Sequence, residues 1–208
     1  MAEIQTSLIS INEPQAIQIA FQTLKAGGLV AFPTDTVYGL GALVHDRTGI
    51  ERLFKAKIRD ANKAIAVLIG DLDQLEIVAE ILSSSARQLA AQFWPGALTL
   101  VVPRHPELPE NISPIPTVGV RMPDHAFVRE MLRITGPLAT TSANLSGGAN
   151  PRNARDVMEQ LNRRVELVLD GGDARVGVPS TVVDCTQEPV KILRHGAILE
   201  EDIFSALE

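Results

Sequence analysis

Short apolar runs alternate with amphipathic stretches along this chain, and that alternation limits the fold more than any other feature. Residues 29–32, 64–69, 98–102, 118–121, 138–140, 167–169, 181–183 and 190–193 read as strands. The run 64–69 is apolar throughout, as expected of a strand covered on both faces. Between the strands, residues 14–25 place Ala16, Ile17, Ala20, Phe21 and Leu24 on one side of a helix. Asn12 is its expected N-cap, Pro14 lies in its first turn, and Gly27-Gly28 ends it. Further helices are expected at 48–57, 85–93, 126–134, 154–161 and 201–207, with Trp94-Pro95-Gly96 stopping the second of these. Strands alternating with helices predict an α/β fold.

A chain of 208 residues, 45% hydrophobic, can bury a sizeable core, and aromatics at 4% make that core aliphatic. No repeat interrupts it, so one compact domain over 1–208 is the simplest organisation. The proline-rich stretch 103–116 reads as a loop, long enough for a lid or hinge. A net charge of −6 argues against a general nucleic-acid binder, though it leaves room for a small basic pocket. The single cysteine, Cys185, precludes an internal disulfide and fits a reducing, cytoplasmic setting. The N-terminus lacks the pattern of a signal peptide, and no apolar stretch approaches the ~18 residues of a membrane span. Four scattered histidines form no zinc-ligand spacing, so no protein metal site is expected.

Lys57, Arg59 and Lys63 cluster in this acidic chain, between a helix and the strand beginning at Ala64. Connections at strand ends are where α/β sheets bind ligands, and cations there suit a polyphosphate. The plainer reading is a solvated helix end whose cations complement the macrodipole. Residues 33–41 (PTDTVYGLG) form a hydroxyl-bearing, glycine-punctuated turn without the GK[ST] ending of a Walker loop. Residues 141–147 (TSANLSG) and Pro179-Ser180-Thr181 repeat the pattern. Each alone reads equally well as a capped turn. Arg121 ends a strand and is a natural carboxylate clamp, or else an ion pair. Arg194 ends another, before His195-Gly196. Together these strand ends suggest one cleft. No nucleophile elbow is present, and Cys185 reads as inert core. Asp71/Asp73 and Glu200/Glu201 read as helix-start charges.

PTDTVYGLG, K-x-R with a later Lys, FWPGALTL at 93–100, GVRMP at 119–123, TSANLSG and PSTVVD at 179–184 occur in a fixed order over residues 33–196. In that order they resemble the YrdC-type threonylcarbamoyl-AMP synthases, in their single-domain form without the additional C-terminal domain. The resemblance implies a twisted open mixed sheet with flanking helices and a concave electropositive cavity. It implies that L-threonine, bicarbonate or carbon dioxide, and ATP with Mg²⁺ give threonylcarbamoyl-AMP and pyrophosphate. The product would feed modification of tRNA adenosine 37 through a downstream transferase. Carried across by position, Lys57, Arg59 and Lys63 hold the ATP phosphates, with Lys57 and Arg59 catalytic. Thr117, Ser142, Asn144 and Arg194 contact the nucleotide. Thr34, Arg121, Thr141 and Ser180 hold threonine. Three positions depart from the pattern. Asp60 and Ala64 stand where the family usually has Pro, and Leu68 where many members carry His. Asp60 is expected to set an anion beside the phosphate cations. The rival readings are a non-catalytic RNA-binding module and another carbamoyl-adenylate-forming enzyme.

Overall fold

A computed structural model describes residues 3–208. Its strands are β1 (Ser7–Ser10), β2 (Val30–Phe32), β3 (Gly39–Leu43), β4 (Ala66–Leu68), β5 (Leu98–Pro103), β6 (Thr117–Arg121), β7 (Leu138–Ser142), β8 (Leu167–Asp170), β9 (Thr181–Asp184) and β10 (Lys191–Arg194). The helices are α1 (Ala16–Lys25), α2 (Arg47–Lys57), α3 (Leu75–Val78), α4 (Ser84–Phe93), α5 (Ala126–Thr135), α6 (Ala154–Leu161) and α7 (Glu200–Ser205). All the strands join one mixed sheet in the order β1-β8-β2-β3-β7-β4-β6-β5-β9-β10. The α/β expectation holds. No described helix is long and apolar enough to cross a membrane.

The two faces of the sheet are covered unequally. One face carries Ala31, Leu40, Val67, Leu100, Val120, Ala139 and Val183 into a large aliphatic core. That core is closed by Leu53 and Phe54 of α2, Leu89 of α4, Val157 of α6 and Ile203 of α7. On the opposite face α1 and α5 close a smaller core over Val30, Phe32, Leu68, Leu138, Leu167 and Leu169. Side chains alternate along a strand, so residues two along from this smaller core face the same way. Thr140 and Ala66 are paired in register, as are Ala66 and Gly119. Beyond the reach of α1 and α5 these small residues floor an open concavity. The expectation that residues 64–69 are covered on both faces is therefore corrected: Leu68 is covered, but Ala66 faces the concavity.

Several local readings change. Gly39-Leu40-Gly41 is strand rather than turn. A Cβ at Gly39 would lie 3.2 Å from Phe32 Cε2, and one at Gly41 3.0 Å from Phe32 Cε1. The glycines thus make room for the Phe32 ring across the β2–β3 pair. Helix α1 begins at Ala16 with Gln15 at the cap and no side-chain capping bond, so Asn12 is not its N-cap. Residues 103–116 are packed rather than lid-like. Leu108 and Ile112 are buried, Ile112 O accepts from Ile65 N, and Arg104 Nη1 donates to Pro109 O. Asp71 does open a short helical turn, as expected, and its carboxylate pairs with Arg129 and Arg133.

Candidate active site

The concavity is a cavity of about 370 Å³ lined by strand ends and loops from residue 34 to residue 194. Its floor is Gly39, Thr140, Ala66, Gly119 and Thr99. Arg59, Arg121 and Arg194 stand in its wall, and no acidic side chain lines it among the described residues. Arg194 feels the charge of Arg59, and Arg121 that of Arg194. Burial first, then Arg59, lowers the pKa of Arg194, and Arg194 in turn contributes to lowering that of Arg121. A wall with three arginines and no lining carboxylate among the described residues is a candidate place for an anion.

Arg59 reaches the cavity because α2 ends abruptly. Ile58 takes the left-handed conformation at φ 52° and leaves its side chain 67% exposed. The turned chain lets Arg59 N donate to Phe54 O, the closing bond of a left-handed helix cap. Arg59 Nη2 donates to Ala64 O at 2.9 Å, while its buried Nε has no partner. Burial lowers its pKa. A buried N–H donor without a partner costs free energy in the protein as it stands.

Lys57 is different: the resemblance puts it on phosphate, and the structure holds it behind the cavity. It is 1% exposed and lies outside the cavity wall. Its Nζ donates to Ser142 O, Asn144 O and, at 3.3 Å, Asn144 Oδ1. Burial, and secondarily Arg59, push its pKa down to about 7, whereas three oxygen acceptors around Nζ favour the charged form. The sequence did carry a signal. Ile50, Leu53, Phe54 and Lys57 follow helical spacing on the buried face of α2.

Asn144 is a loop pin rather than a wall residue. Its Oδ1 accepts from Ser142 Oγ at 2.6 Å and its Nδ2 donates to Gly148 O at 2.8 Å. Lys63 is exposed and outside the cavity wall. Thr117 shares the face of Gly119 but opens β6 at its far end, also outside the wall. Asp60 is exposed, and its Oδ1 accepts from Asn62 N, so it closes a local turn.

Ser142, Thr141, Ser180, Thr34, Arg121, Arg59 and Arg194 do converge on the cavity. Arg194 Nε and Nη2 donate to Ser180 O, and Ser180 Oγ bonds Thr99 Oγ1 at 2.8 Å. Thr34 is buried in its own turn, donating to Val37 O at 2.7 Å and accepting from Thr36 N and Val37 N. Its hydroxyl is thus already engaged, contrary to the expectation that it is offered to a substrate. Arg121 is buried and pairs with Asp35 at 2.5 Å, so it is neither a free fork nor a surface pair. Asp35, Thr36, Thr99 and Asn150 are site residues that the motif reading passed over. Thr99 could have been found by parity, since Leu98 and Leu100 point into the core.

The bare floor gives a direct test. A Cβ on Gly119 would lie 3.1 Å from Thr99 Cγ2 and 3.8 Å from Ala66 Cβ, within a strand that tolerates branched residues. Gly119→Val is expected to melt within a few degrees of wild type and to lose at least about tenfold in ligand affinity, because it raises the floor into the cavity. Thermal melting beside ligand titration checks both halves.

Residues 22–196 match the Sua5/YciO/YrdC family model, described as "Telomere recombination". The chain is 42% identical over 203 residues to the threonylcarbamoyl-AMP synthase of Pyrococcus abyssi, covering 95% of this chain and 60% of that protein. It is 39% identical over 194 residues to a putative threonylcarbamoyl-AMP synthase of Mycobacterium tuberculosis, covering 93% of this chain and 89% of that one. The crystal structure of P. abyssi Sua5 complexed with L-threonine superposes with a TM-score of 0.91 at 39% identity, over 99% of this chain and 61% of that one. This chain therefore spans about three-fifths of the length of the Pyrococcus relative.

Proposed function

Since the chain belongs to the Sua5/YciO/YrdC family, we propose that its cavity converts L-threonine, bicarbonate or carbon dioxide, and ATP into L-threonylcarbamoyl-AMP and pyrophosphate. The observation that carries this reading is the cavity wall, with three arginines, no lining carboxylate among the described residues and one buried donor left unpaired. In this reading threonine's unprotonated amine attacks carbon dioxide. The N–C bond forms and the nitrogen loses a proton, leaving a carbamate. A carbamate oxygen then attacks the α-phosphorus, the bond to the bridging oxygen breaks, and pyrophosphate departs.

Such a transfer needs alignment and charge neutralisation more than a protein nucleophile. Cys185 is no candidate nucleophile: it is buried away from the cavity, and burial, then Asp184 and Glu188, push its thiol up to about 12. Arg59 and Arg194 neutralise the triphosphate, Ser142 steadies the nucleotide, and Arg121 offers its two remaining N–H groups to the threonine carboxylate. Mg²⁺ enters with ATP as part of the substrate. Among the described residues no group of three or more His, Cys, Asp or Glu could hold a metal. That fits an ion held by phosphate oxygens and water, and the proposal gives it no ligand from this chain. The product would pass to a transferase that modifies adenosine 37 of tRNA, in a cytoplasmic setting.

Pyrophosphate release with ATP, Mg²⁺, bicarbonate and each amino acid in turn tests the reading. A non-catalytic RNA module releases none. Specificity follows from the hydroxyls. Thr140 and Ser142 share the floor face and line the cavity; each spends its proton on the protein, on Leu138 O and Asn144 Oδ1, and leaves its oxygen able to accept from a substrate hydroxyl. Serine lacks only a methyl, worth about 1 kcal/mol or roughly fivefold. Valine lacks the hydroxyl and leaves those oxygens without their donor, for a loss of roughly a hundredfold or more. The expected order of kcat/KM is threonine, serine, valine. Valine at or above serine would show a pocket that reads shape alone.

A further inference from the structure

We propose that Thr36 is a positioning residue for amino-acid recognition, fixing the Arg121 guanidinium through a one-way chain of hydrogen bonds. The proposal rests on the reading of Arg121 as the carboxylate clamp.

Proton count sets the direction of the chain. Thr34 Oγ1 has one proton, and it goes to Val37 O at 2.7 Å. In its 3.0 Å contact with Thr36 Oγ1, Thr34 therefore accepts and Thr36 donates. The Thr36 hydroxyl has then used its only proton. It meets Arg121 Nη1 at 2.8 Å as an acceptor, which suits a group that can only donate. With the Thr34 proton on Val37 O, the chain runs from Arg121 Nη1 to Thr36, Thr34 and Val37 O, and its fixed end is Arg121, which can only donate to Thr36 Oγ1.

The other two nitrogens are held as firmly. Nη2 donates to Asp35 Oδ1 at 2.5 Å, and Nε donates to Gly96 O at 2.9 Å. The turn that carries Thr34, Asp35 and Thr36 is itself pinned, since Asp35 O accepts from Val176 N and Thr36 O from Gly177 N. Thr34, Asp35, Thr36 and Arg121 are all buried. One N–H on each of Nη1 and Nη2 remains, and the frame fixes their direction. Asp35 neutralises the charge of Arg121. What distinguishes this guanidinium as a clamp is therefore its aim, and Thr36 sets the aim of Nη1.

The test uses Thr36→Val, which keeps the shape and removes the hydroxyl, with Thr36→Ser as the conservative control. Steady-state pyrophosphate release is followed while threonine and ATP are varied separately. For Thr36→Val the threonine KM is expected to rise about tenfold or more. The ATP KM and kcat should stay within about twofold, and Thr36→Ser should stay within about twofold of wild type in every parameter. If Thr36→Val melts more than a few degrees low, Thr36→Ala is read in its place. Wild-type protein inactive with every amino acid overturns the synthase reading and this inference with it. Active wild type with an unchanged threonine KM in the variant overturns the role of Thr36 alone. So does an equal shift in both KM values, or a Thr36→Ser variant as impaired as Thr36→Val.

Discussion

Arg59→Ala is expected to lose pyrophosphate release almost completely while melting no lower than wild type. Both halves come from the same side chain. Among the described residues Arg59 Nε is buried without a partner, and the rest of the guanidinium is tied to the protein only through Nη2 and Ala64 O. An unpaired buried donor destabilises the empty protein, so its removal is neutral or stabilising for folding. In the complex the Arg59 guanidinium, which stands in the cavity wall, would meet the triphosphate. A charge-assisted bond there contributes about 1.5–3 kcal/mol, or roughly ten- to 150-fold in kcat/KM, and more if the phosphates lose alignment as well. Thermal melting with the pyrophosphate assay separates the two effects. A folded Arg59→Ala protein turning over at the wild-type rate would remove Arg59 from the phosphate site.

Lys57→Met is expected to do the reverse and act first on stability. The ammonium draws together Ser142 O, Asn144 O and Asn144 Oδ1 behind the TSAN loop, and Ser146 N donates to Lys57 O. Methionine fills much of the same volume but leaves buried carbonyls unpaired. Hydrogen bonds to a charged group contribute about 1.5–3 kcal/mol each. A net loss near 3 kcal/mol lowers the melting temperature by roughly 6–12 °C in a chain of this size. Activity falls with it, because Thr141 and Ser142 lose their support. If Lys57→Met instead melts like wild type and fails only in the assay, Lys57 contacts the substrate and not the loop.

These contrasting variants also mark how far the sequence could be read. Most strands and helices were legible because their periodicity is strong. Strand β1 was missed since Ser-Leu-Ile-Ser is short and polar at both ends, and it pairs only with β8. Strand β3 was hidden by Gly39 and Gly41, whose purpose is room for a ring on another strand. The cleft was visible as a set of strand ends bearing hydroxyls and arginines. Which of those groups face outward was not. The motifs list Lys57 beside Arg59, yet helical phase buries one and a left-handed turn presents the other. Thr34 is occupied by bonds within its own turn, and Arg121 by bonds to Thr36 and Asp35 that span more than eighty residues of chain. Residue type and spacing do not encode that prior occupation.

Strand β8 lies between β1 and β2 in the sheet, hydrogen-bonded in parallel to both. During synthesis Ser7–Ser10 leaves the ribosome long before β8, its strand partner among the described residues, exists. Ser7 meets Leu167, and nothing earlier in the chain can stand in for it. The amino-terminal edge therefore stays open until most of the chain is made, and pairing across such a separation is slow. The cavity waits longer still, since Arg194 is added after every other wall residue. A nascent chain of this topology carries an unclosed sheet and no complete binding site until its last strand is in place.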